Sequence, residues 1–152
     1  MELTSTAFLE GTIIPKVNTG DGKDISPPLR WSGAPANTQS FALICDDPDA
    51  PRKEPWVHWV LFHLPADARE LPEAVPASDT LTGAGKQGKN DFGKIGYGGP
   101  APPPGKPHRY YFKLYALDTI LDLEEGATKQ ELEQAMKGHI LASGQLMGKY
   151  GR

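Results

Sequence analysis

Glycine and proline punctuate this chain from end to end, 17 and 15 of them among 152 residues, about a fifth of the total. Proline fixes φ and removes a backbone donor, while glycine opens backbone conformations closed to other residues. Punctuation this dense leaves little room for helix between residues 15 and 107. It favours short strands joined by turns, as in an all-β sandwich or barrel. Candidate strands are Leu3–Phe8, Leu29–Ser32, Ser40–Asp46, Val57–Leu64, His108–Asp118 and Gln145–Tyr150. The turns between them are "NTGDG", "SGAPAN", "DDPDAP" and a Gly/Pro-rich segment from Gly83 to Pro107. No repeat or linker is visible. The length suits one domain, residues 1–152, burying roughly 70% of the surface its unfolded chain exposes.

One helix is expected. Thr128 and Glu131 form a capping box, and Leu132, Ala135, Met136, His139 and Ile140 follow at helical spacing. That stripe predicts an amphipathic helix over Lys129–Leu141, packed on a sheet.

Bulk properties exclude several classes. The longest apolar runs, Phe41–Cys45 and Trp59–Phe62, fall far short of the ~20 residues needed to span a membrane. The N-terminal stretch shows neither a basic n-region nor a continuous apolar h-region, so no secretory signal is expected. A lone cysteine, Cys45, rules out an intramolecular disulfide, and its setting in "FALIC" predicts a buried thiol. These features predict a cytoplasmic protein. A net charge of −3 argues against nucleic acid as a partner. The charge is uneven: Lys86 to Lys113 holds six basic residues and one acid, leaving ten basic and eighteen acidic residues elsewhere. This local excess suggests a small anionic ligand or an acidic patch on a partner, or else a solvated lysine-rich loop.

Most chemical motifs fail on their surroundings. Gly83, Gly85 and Gly88 fit G-x-G-x-x-G, and Gly83 to Lys89 fits the start of a P-loop, but Asn90 stands where Ser or Thr is required. Both motifs need a helix directly after the loop, and "NDFGKIGYGG" cannot supply one. The four histidines match no zinc spacing. "DDPDA" lacks the glycine and closing glutamate of a calcium loop, so no metal and no cofactor is assigned. No activated nucleophile is visible.

Strand alternation is more informative. It places Trp56, His58, Val60 and Phe62 on one face of their strand, and Val57, Trp59, Leu61 and His63 on the other. It also groups His108, Tyr110, Phe112 and Leu114, opposite Arg109, Tyr111, Lys113 and Tyr115. Two i, i+2 pairs result, Trp56/His58 and His108/Tyr110, each beginning a strand. If the strands are neighbours, the pairs form a polar floor with aromatic sides.

Taken together, "DDPDAP", "WVHW" and "GYGGPAPPPGKPHRYYFKLYALD" resemble the phosphatidylethanolamine-binding protein family, also called Raf kinase inhibitor proteins, and within it the short bacterial and archaeal members. The resemblance extends from "ISPPLRWSGAP" to "LMGKYGR". It implies a two-sheet antiparallel β-sandwich with Greek-key connections and a small anion pocket at one end. By the family's motifs, Asp47, Pro51, Trp56, His58, Gly99, Pro100, His108 and Tyr110 are the implied pocket residues. Prolines would stiffen the rim before binding, and glycines would offer N–H donors to the anion. Asp47 would orient a histidine or carry a shared proton. Two departures stand out: Ala101 replaces a cysteine common in short members, and the C-terminal helix of animal members is missing.

The implied function is a binding module for phosphate, phosphoethanolamine or carboxylate, regulatory or inhibitory rather than catalytic. Two other readings stay open: an inhibitor of a kinase or protease acting through the Pro-rich loop, and a weak hydrolase built from the His/Asp pocket. The apolar "LMGKY" also hints at a homodimer.

Overall fold

The computed structural model describes residues 1–77 and 85–152. Among the described residues, eight strands and one α-helix follow in order: β1 (Glu2–Thr4), β2 (Leu29–Ser32), β3 (Ser40–Asp47), β4 (Trp56–Pro65), β5 (Glu70–Leu71), β6 (Lys86–Gln87), β7 (His108–Leu117), α1 (Lys129–Met136) and β8 (Ile140–Tyr150). They make two antiparallel sheets, ordered β1-β2-β5 and β6-β4-β3-β7-β8. The chain passes from the small sheet to the large one between β2 and β3, back at β5, and again to the large sheet at β6.

The large sheet is covered on both faces. Phe41, Leu43 and Cys45 of β3 join Leu3, Leu29 and Trp31 of the small sheet in the core between the layers. Ala42 and Ile44, pointing the other way, pack with Leu121, Leu132 and Met136 under the helix. This double coverage explains why β3 reads as an unbroken apolar run, with all eight of its residues buried.

Carboxylates extend the alternation. Asp46 turns to the helix face, where Lys129 Nζ lies 2.7 Å and Lys113 Nζ 3.1 Å from its oxygens. Asp47 turns to the other face. Thus the first residue of α1 is tied to the central strand by a buried charge pair, and the capping box predicted at Thr128 and Glu131 is formed in full.

Several expected boundaries move. The helix stops at Met136, because Gly138 adopts φ +81° and turns the chain into β8. His139 therefore leaves the apolar stripe and bonds Asp118 at 2.8 Å, while Ile140 opens β8 and is exposed. The first strand ends at Thr4 instead of Phe8, since Ser5 Oγ donates to the Pro28 carbonyl and accepts the Ala7 N–H, replacing ladder bonds. Strands β5 and β6 have two residues each, too short to leave a periodic signal. Of the phosphate-loop pattern, Gly83 lies outside the described residues, and Gly85 is followed by strand β6, with no helix at that point.

Cys45 is 2% exposed, and burial pushes its thiol pKa well up. A thiol reagent such as DTNB should therefore leave the native protein unmodified and label Cys45 only at the rate of unfolding; stoichiometric labelling within minutes would contradict this burial.

Candidate functional site

The cavity sits where three strands of the large sheet begin or end. β3 pairs with β4 so that Asp47 faces Trp56, and with β7 so that Asp46 faces Tyr111. These registers bring the C-terminal end of β3 beside the N-terminal ends of β4 and β7. A hollow of about 190 Å³ opens there. Six of the eight residues implied above line it: Asp47, Pro51, Trp56, His58, His108 and Tyr110.

One of these arrives by a route that strict alternation misses. Cys45 pairs with Trp59 and Asp46 with Val57, leaving His58 as the extra residue of a β-bulge. Val57, Val60 and Phe62 all pack on the helix side, whereas Trp59 and Leu61 enter the core between the sheets. His58 does not share a face with Val60 and Phe62. Its ring lies 5.1 Å from that of Tyr110, edge to face, on the inter-sheet side. In β7 the expected alternation is observed, with Tyr110, Phe112 and Leu114 all in the inter-sheet core.

Fixed acceptors hold both imidazoles. Nδ1 of His58 donates to the Gly98 carbonyl at 2.6 Å, and the Gly98 N–H returns a bond to the His58 carbonyl at 2.9 Å. Nδ1 of His108 lies 2.7 Å from Asp47 Oδ2, while Asp47 Oδ1 accepts the Asp49 N–H at 2.7 Å. Asp49 in turn grips Arg109 through Nε and Nη2, and that guanidinium holds its carboxyl at a pKa of about 2. The aspartates of "DDPDA" thus have three separate destinations: the helix face, the cavity and the outer rim. Each has a cationic or imidazole partner, and among the described residues no group of acids, histidines and cysteines could hold a metal ion.

Gly99 and Pro100 stand behind the wall and do not line the hollow. The Gly99 N–H donates to Asp24 Oδ1 at 2.6 Å, and Pro100 offers its carbonyl to Gly20. The N–H groups of Gly98 and Gly99 are therefore engaged internally, so neither is left for an anion. What glycine provides here is clearance. A Cβ on Gly98 would come within 2.6 Å of the Phe92 ring, and one on Gly99 within 2.6 Å of the Asn18 carbonyl.

A sequence model of the family described as phosphatidylethanolamine-binding protein matches residues 4–151. The chain belongs to the phosphatidylethanolamine-binding protein family. A UPF0098 protein of Methanothermobacter thermautotrophicus is 52% identical over all of this chain and 99% of its own length. Its counterpart in Aquifex aeolicus is 49% identical, covering all of this chain and 89% of its own. Among solved structures, YbcL of E. coli, described as a new member of the mammalian PEBP family, superposes with a TM-score of 0.91 at 34% identity, over 99% of this chain and 98% of its own. The PEBP homologue CT736 of Chlamydia trachomatis gives 0.90 at 42%, over 99% and 97%.

In this member of the family the wall also includes five residues not singled out from the motifs: Ala50, Phe92, Ala101, Pro102 and Pro103. Phe92 packs edge to face against both Trp56 and His58, at 5.4 and 5.5 Å between centroids. The signal available for it was a lone aromatic in a glycine-rich loop. Arg52 lies over the outer face of this arrangement, 4.6 Å from the Trp56 ring centroid, and bonds Asp91.

Burial sets the protonation of two members. It raises the Tyr110 pKa well above the usual phenol value, with the Asp47 charge adding to the effect, so the hydroxyl keeps its proton. Burial lowers the His58 pKa from 6.5, opposed in part by the Gly98 carbonyl. The unfolded chain then binds the extra proton more readily. Stability from His58 is complete above about pH 6.5 and is lost as pH falls toward the lower folded-state value. Urea midpoints measured from about pH 7 down to pH 5 should accordingly fall less steeply in His58→Gln than in wild type; parallel slopes would contradict a buried neutral ring.

Proposed function

We propose that this member of the family is a binding protein for a small acidic group, a phosphate, phosphoethanolamine or carboxylate, and serves as a regulatory or inhibitory module. The single observation that carries the reading is the convergence of His58, His108, Tyr110 and Asp47 on one hollow whose remaining walls are proline, alanine and aromatic side chains. The imidazoles and the phenol can complete a hydrogen-bonding shell around an oxyacid. The apolar walls exclude water and so strengthen those bonds. Pro51, Pro102 and Pro103 restrict the rim before a ligand arrives, which limits the entropy lost on binding. The local excess of basic residues, including Lys106, Arg109 and Lys149 around the adjoining outer hollow, favours the approach of an anion.

The binding reading is preferred over hydrolysis because, among the described residues, none lining the hollow is a serine, cysteine or threonine that could act as a nucleophile. Inhibition of a kinase or protease would use the same cavity to hold an acidic side chain or phosphate of the partner. The exposed residues beyond Pro103 would then form the contact surface.

Calorimetry with inorganic phosphate, phosphoethanolamine and acetate tests the reading. Wild type should bind at least one of them. His108→Ala should weaken that binding by about ten- to a hundredfold, the loss of one charge-assisted hydrogen bond. Equal heats in the two proteins, or none with any anion, would remove it.

A further inference from the structure

We infer that the acidic group is held in this cavity together with one proton, shared between the ligand and the Nε2 atoms of His58 and His108. The ligand class is then a phosphate monoester or a carboxylate that brings or takes up one proton on binding, the proton lying on a ligand oxygen or on His108, and never a fully ionised anion set against two neutral rings. The inference rests on the anion-binding reading above and concerns what that reading leaves open, the hydrogen count of the complex.

The argument is one of donors and acceptors. Each imidazole directs Nδ1 at a fixed acceptor, the Gly98 carbonyl for His58 and the Asp47 carboxylate for His108. A neutral ring with its proton on Nδ1 presents only a lone pair at Nε2, and both rings line the hollow. One cavity donor remains, the Tyr110 hydroxyl, which keeps its proton; Trp56 Nε1–H is buried without a partner among the described residues and is not open to the hollow. Neither oxygen of Asp47 can contribute a hydrogen, since one accepts from His108 and the other from the Asp49 N–H.

A fully ionised carboxylate would set its own lone pairs against two imidazole lone pairs between largely apolar walls, and unpaired buried acceptors are costly. A single proton resolves the conflict in either of two ways. It stays on a ligand oxygen and is donated to Nε2 of His58, or it is taken from solvent by Nε2 of His108, which then donates to the ligand while Asp47 balances the charge. No bond other than O–H or N–H changes. The surroundings fit both positions. His58 meets the rings of Tyr110 and Phe92, with Asp47 and Asp46 as the nearest charges. His108 meets Asp47 and Tyr110 inward, and Asp49, Lys106, Arg109 and Lys149 on its outer side.

The experiment is calorimetric titration with sodium acetate at about pH 8.5, above the usual histidine range, in two buffers of different ionisation enthalpy. The dependence of heat on buffer should report uptake of about one proton per acetate, with affinity falling about tenfold per pH unit between pH 8 and 9. Inorganic phosphate, which already carries a proton at that pH, should take up less than acetate. Acetate binding with no proton uptake would overturn the inference and leave the anion-binding reading intact. No heat with acetate or phosphate even at about pH 6, or heat with ethylammonium chloride alone, would remove both. In His108→Gln the amide donates without titrating. Uptake lost in that variant assigns the proton to His108, and uptake retained assigns it to the ligand oxygen facing His58.

Discussion

Strand β3 is hydrogen-bonded along both edges, to β4 on one side and β7 on the other, and the cavity depends on those two ladders. The side chains that form it come from positions 47, 56, 58, 108 and 110, far apart in the chain. Only the paired registers bring them within one hollow. Because the large sheet is buried on both faces, a slip of β3 by one residue would drive Asp46 into the inter-sheet core and Ile44 with it. Apolar packing therefore fixes the register, and the register places the polar groups.

The loops then complete what the sheet begins. The segment after β6 returns along the end of β4, where Gly98 exchanges two hydrogen bonds with His58 and Gly99 closes one with Asp24. Backbone groups there are paired with other parts of the protein, as buried groups must be. The consequence for chemistry is that the hollow is served by side chains more than by the main chain. This differs from a glycine-rich anion loop of the phosphate-binding kind, in which free N–H groups point at the ligand.

Much of this was legible in the sequence. The turn density implied short strands, and the long strands β3, β4 and β7 were located to within a residue or two. The capping box marked the start of α1 because its chemistry is local. The end of α1 was harder, since His139 and Ile140 kept the helical spacing, and the decisive signal was the backbone angle that Gly138 permits. The side-chain direction of His58 was legible only in part. Alternation paired it correctly with Trp56 but could not show the bulge, which exists only relative to β3. Phe92 carried no motif, and Ala50 sat inside "DDPDAP" with no polar group to single it out; their places on the wall follow from tertiary folding.

That bulge gives position 58 an unusual freedom. Its residue has no paired partner across the ladder, and its carbonyl accepts the Gly98 N–H. Exchanging the side chain there alters the lining of the hollow without removing a paired position from the sheet, so the shape and polarity of the wall at this point can change largely apart from the scaffold that carries it.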